Sequence, residues 1–199
     1  MKAKNWLAIN YFLQYAVQGV FFQYWLVYLT GVKKLSILEA SGIFSMVYLA
    51  RFLGGVFFAS YLIRVFGMKK SYRIISIGGF LATLMYGFTD SKLSLIVVTF
   101  LIGITFFTLT PLTETTASIF LKEAGIDYGK VRVFGSFSFM LIGISVGAVL
   151  YYINNDFIYY AMVFLVGLYC VFICSKMPKL VDTIKVYGNE NKEKNLFLG

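Results

Sequence analysis

The sequence predicts an all-α integral membrane protein with six transmembrane helices. Three observations carry that prediction. Hydrophobic residues make up 59% of the 199 residues and charged residues only 14%, whereas soluble domains carry roughly 25% charged residues. The mean hydropathy is +0.78. Apolar runs recur along the chain, near the roughly 20 residues that a span needs, and short connections containing Lys and Arg separate them.

Span 1 covers Trp6–Thr30 and follows the short basic stretch Met1–Asn5. No small-residue cleavage site comes after it, so it reads as an uncleaved first span rather than a signal peptide. Asn10, Gln14 and Gln18 recur every four residues and make a polar stripe on one helix face. Such amides either bond across to neighbouring helices or line an aqueous path, and the sequence leaves both open. Span 2 covers Ile37–Ile63, with Arg51 near its middle. That arginine is too deep to reach either surface easily. It must pair internally, be solvated in a cavity or bind an anion, and its planar fork matches a carboxylate. Ala50 and Gly54 form a small-xxx-small pair that favours close helix approach.

Span 3 covers Tyr72–Thr89. Span 4, Leu93–Leu121, contains Glu114 as its one charge. A charge at the bilayer centre costs about 2.5–3.5 kcal/mol on insertion scales, so Glu114 requires a partner or a watery cavity. Pro111 predicts a kink or an unwound turn. Thr110, Thr113, Glu114 and Ala117 then share one small, polar face, which is what a cavity wall needs. Span 5, Val133–Ile153, follows a hinge-like Asp127–Tyr128–Gly129, and Arg132 stands at its start. Gly143 and Gly147 form a GxxxG. Span 6, Phe157–Ser175, holds Cys170 and Cys174 on one face. A disulfide within one helical turn has poor geometry, so both read as apolar fillers. Residues 1–177 are therefore expected to form the bundle. Residues 178–199 turn polar and read as a cytoplasmic linker, truncated ahead of a seventh span.

The net charge is +9, but the basic residues sit in the connections rather than in a nucleic-acid stripe. Alternating the connections places fourteen of them on one side and three on the other. By the positive-inside rule the richer side is cytoplasmic, and so are both termini. The chain has no His, no cluster of metal ligands, no phosphate-cradling Gly loop and no nucleophile–base set. An enzyme or a cofactor is not expected. Arg51 and Arg132 are the two candidate partners for Glu114. Such a pair either fixes helix packing or marks a substrate or proton site, the usual role of an intramembrane ionisable group.

Several stretches resemble a known family. They are Trp6–Leu29 (WLAINYFLQYAVQGVFFQYWLVYL), Ala50–Gly54 (ARFLG), Pro111–Ala117 (PLTETTA), Ile126–Gly135 (IDYGKVRVFG) and Ile153–Asn155 (INN). Together they resemble the N-terminal half of the major facilitator superfamily, in the branch with phenylpropionate permeases, nucleoside–proton symporters and lactose permease. The resemblance implies two three-helix repeats. It also implies a secondary transporter of the cell inner membrane that moves a small organic solute with protons and lacks its C-terminal six-helix half here. Glu114 and Arg132 fall on the acidic and arginine positions that bind sugar in lactose permease. Phe139 falls where lactose permease has a Trp that stacks on the sugar ring. Arg51, Phe139 and ARFLG favour an aromatic or small organic acid. The alternatives are a nucleoside or oligosaccharide symporter, or a scaffold that transports nothing. The chain departs from the pattern at Gln23, where many relatives have Pro. It departs again in Arg64–Lys70 (RVFGMKK), where Arg64 stands near the usual acidic residue.

Overall fold

The computed structural model describes residues 2–175, 177–178 and 181. Their backbone forms six long helices: α1 (Ala3–Gly31), α2 (Ile37–Phe66), α3 (Met68–Met85), α4 (Lys92–Ala124), α5 (Tyr128–Leu150) and α6 (Phe157–Ser175). The linker expected at 178–199 lies outside the described residues apart from Pro178 and Val181.

The helices outrun the apolar runs at several ends because capping, not hydropathy, sets where a helix starts. Ser36 caps α2 in a reciprocal capping box with Glu39. Ser91 caps α4 and Asp127 caps α5. The residues expected to be a hinge are thus an N-cap followed by the first turn of α5. Asp127 accepts from the backbone N–H of Lys130 and pairs with its ammonium. The backbone bond first, then the side chain, holds its carboxyl below the usual range. Gly67 (φ 78°) and Gly125 (φ 59°) make the turns that end α2 and α4, where a side chain would be strained.

Four of the six helices, α2, α4, α5 and α6, are long and apolar enough by themselves to cross a membrane. In α1 the amides of Gln14, Gln18 and Gln23 dilute the apolar run, and in α3 the basic residues Lys69, Lys70 and Arg73 fill the first turns.

The pairing of helices has an internal symmetry. α1 packs most extensively on α5, and α4 on α2; α1 also packs on α6 as α4 does on α3; α3 and α6 pack on each other. Exchanging α1–α2–α3 with α4–α5–α6 leaves this pattern unchanged, as two three-helix repeats require. The core between them is aromatic. Phe21 packs on Phe107 with ring centroids 4.7 Å apart, and Trp25 on Tyr28 at 4.8 Å and on Tyr86 at 4.9 Å.

Two helix irregularities face each other inside this pattern. α2 widens into a π turn at Gly54–Phe58, and α4 tightens into a 3-10 turn at Phe106–Thr108. Pro111 causes the second: its ring excludes an α-helical carbonyl four residues back, at Phe107. The break therefore lies a turn before the proline. Glycine permits the approach. A Cβ on Gly54 would stand 2.0 Å from Thr108 Oγ1, and one on Gly103 would stand 2.5 Å from the Ala50 Cβ. The Ala50/Gly54 pair is thus a real helix contact. Gly143 and Gly147 act differently, admitting the side chains of Gln23 and Tyr24 rather than another backbone. The Tyr24 hydroxyl donates to the Gly143 carbonyl at 2.6 Å.

Gly103→Val should overpack the α2–α4 contact and cost about 1–3 kcal/mol or more in detergent unfolding. Gly42→Ala, in open space, should leave stability equal or raise it by about 0.5–1 kcal/mol.

Candidate functional site: a charged cleft among four helices

A cleft of about 730 Å³ opens among α1, α2, α4 and α5. Each of the four helices supplies lining: Tyr15 from α1; Tyr48, Arg51, Phe52, Gly55 and Val56 from α2; Thr110, Pro111 and Glu114 from α4; Arg132 from α5. The π turn and the proline break thus form one wall of the cleft, with Gly55 against Pro111.

Glu114 and Arg132 meet here. Arg132 Nε lies 3.6 Å from Glu114 Oε1, and the two side chains retain 52% and 30% of their exposure. They form a hydrated pair at the cleft wall rather than a dry one, which keeps their Coulomb attraction modest. The other oxygen, Glu114 Oε2, accepts from the hydroxyl of Tyr11 at 3.1 Å and from that of Tyr128 at 2.5 Å. The Arg132 guanidinium also lies over the Tyr128 ring, 5.7 Å from its centroid, within cation–π range. Arg51, the other candidate partner, lines the same cleft but engages no described residue by ion pair or hydrogen bond.

The polar stripe of α1 is buried and bonds across to other helices. Gln14 and Gln18 donate their amides to Thr110 Oγ1 at 3.1 and 3.0 Å. They stand behind the cleft and hold the threonine that lines it. Asn10 lies further along, where Tyr169 of α6 donates to its Oδ1 at 3.0 Å. The Asn10 Nδ2 and Gln14 Oε1 atoms are buried without a partner among the described residues. Of the α4 face expected to form a cavity wall, only Thr110 and Glu114 line it. Thr113 turns inward, where Tyr72 donates to it at 3.2 Å, and Ala117 is buried. Phe139 is half-buried on α5, away from the cleft lining, and its carbonyl backs onto Gly19 of α1.

The tyrosines are what the sequence reading missed. Fifteen Tyr in one chain offer no ranking by type. One signal was available: Tyr128 precedes Arg132 by four residues, and Tyr11 precedes Tyr15 by four, so each pair shares a helix face.

The family model described as the MFS_1 like family matches residues 5–196. The chain belongs to that family. Among curated proteins it is 28% identical over 147 residues to the probable 3-phenylpropionic acid transporter of Escherichia coli (strain K12), covering 71% of this chain and 37% of that protein. Among solved structures it is similar to a crystal structure of a mutant of the nucleoside transporter NupG. The TM-score is 0.71 at 18% identity, over 95% of this chain and 52% of that one. The chain thus spans about half or less of the length of the relatives it matches. Family and fold are those of multi-pass membrane transporters, not of enzymes.

Thr110→Val would leave the Gln14 and Gln18 amides without their acceptor, at a cost of about 1–3 kcal/mol. Thr110→Ser should restore stability, as read by thermal unfolding in detergent.

Proposed function

We propose that this chain forms one half of a proton-coupled symporter for a small organic monoanion, with an aromatic acid of the 3-phenylpropionate type as the favoured solute. The observation that carries this is Arg51. It is a half-buried guanidinium with no partner among the described residues, and it shares the cleft with a Glu114–Arg132 pair. Two arginines and one carboxylate leave a single positive charge in excess. A solute carboxylate would neutralise it and accept a bidentate bond. Tyr15, Tyr48, Phe52 and Val56 offer the aromatic and apolar surface that a solute body needs, and the volume suits a small molecule. The identity to the 3-phenylpropionic acid transporter supports the same class.

The remaining parts of the reading follow from the architecture. A six-helix half supplies one wall, and a second half, in the same protein or a partner, supplies the other and rocks against it. Both termini face the cytoplasm of the cell inner membrane, from the excess of basic residues on that side. Glu114, Arg132 and Arg51 contact the solute or each other, while Gln14, Gln18 and Asn10 hold the wall from behind. Phe139, on α5 but outside the cleft lining, is a proposed contact for the apolar body of the solute.

Saturable, proton-driven uptake of labelled 3-phenylpropionate is expected from the whole protein in proteoliposomes. Arg51→Ala or Arg132→Ala should weaken solute affinity by roughly tenfold or more, and residues 1–199 alone should give no saturable uptake. Unchanged affinity in both arginine variants would remove the anion site.

A further inference from the structure

An ionised carboxylate is an acceptor only, with about four lone-pair positions. In an open cleft such a group would draw the hydroxyl donors of a neutral, hydroxyl-rich solute. Glu114 offers such a solute one oxygen at most. Its Oε2 already takes two tyrosine hydroxyls, one from α1 and one from α5, and its Oε1 is turned toward Arg132. These donors are built in: Tyr11 is fully buried and Tyr128 half-buried.

Tyr128 does a second job. Its ring lies beneath the Arg132 guanidinium, while Glu114 meets that guanidinium at Nε, the nitrogen nearest the chain. The pairing with Glu114 therefore takes neither terminal nitrogen of a side chain that is half exposed at the cleft, beside the Tyr15 hydroxyl.

We infer that Tyr11 and Tyr128 are specificity-determining positioning residues. By occupying Oε2 they halve what that carboxylate can accept from hydroxyl-bearing solutes, and they leave the outer edge of Arg132, with Arg51, to recognise a carboxylate. The inference rests on the anion reading above. It adds why the same cleft disfavours neutral solutes: one of the two carboxylate oxygens they would need is already satisfied from inside the protein, and the other faces the Arg132 guanidinium.

The test is a ratio of affinities. The whole protein in nanodiscs is titrated with 3-phenylpropionate and with an uncharged, hydroxylated counterpart, phenyl β-glucoside. The natural protein is expected to prefer the acid strongly. In Tyr11→Phe/Tyr128→Phe, Glu114 regains free acceptor positions, so glucoside binding should appear and the acid/glucoside ratio should fall by roughly tenfold or more, the worth of one bond to a charged group. Tyr128→Phe alone keeps the ring under Arg132 and should move the ratio the same way by less. It decides the question if the double variant does not fold. Tyr61→Phe, on the exposed face of α2, should change nothing. A purely structural role would lower both affinities together and hold the ratio constant, which overturns the inference while the anion reading stands. Natural protein that binds neither probe, or binds the glucoside as well as the acid, overturns both.

Discussion

The interior of a bilayer holds no water to satisfy a buried polar group, so such a group is costly unless it finds a partner within the protein. That constraint organises this bundle. Two amides of α1 converge on one threonine of α4, Tyr72 of α3 reaches Thr113 of the same helix, and Tyr169 of α6 reaches back to Asn10 of α1. Each bond joins residues more than forty positions apart in sequence. Together they specify which helix lies beside which, where apolar surfaces alone would pack with little discrimination against lipid.

The same constraint explains the cleft. Proline in α4 frees backbone groups and forces a 3-10 turn, and glycine in α2 permits the π turn that receives it. Both defects occur where the helices approach most closely, and beside them lie the charges. Irregular backbone at membrane depth is tolerated where it is buried in protein or lines a cavity, and here the two defects do both. Glu114 is held by donors from α1 and α5, and Arg132 by the carboxylate and an aromatic face.

Much of this was legible in the chain. Apolar runs near 20 residues with basic connections predict six spans, and six helices form. A lone Glu in span 4 predicts a partner, and Arg132 is beside it. The misplacements have physical causes. Helix starts were read too late at α3 and α5 because hydropathy discounts polar first turns, which at α5 the Asp127 cap makes helical. The α4 face was read as one cavity wall, yet a helix of this bundle touches neighbours on most sides. Thr113 and Ala117 therefore turn toward the interior while Thr110 and Glu114 line the cleft. The polar stripe of α1 fits both cross-helix bonding and water lining, and only its neighbours decide; they make it bond.

By itself the sequence determined the membrane class, the number of spans and which charges lie within or beside them, because those follow from local hydropathy and from the cost of charge in hydrocarbon. It also marked where α4 would break, because proline acts on its own backbone. Tertiary structure decided the rest. It paired Glu114 with Arg132 and left Arg51 without a partner among the described residues, since both arginines are chemically suited and only helix packing sets the distances. It also selected Tyr11 and Tyr128 from fifteen tyrosines, because a hydroxyl gains a role only from what lies within its reach.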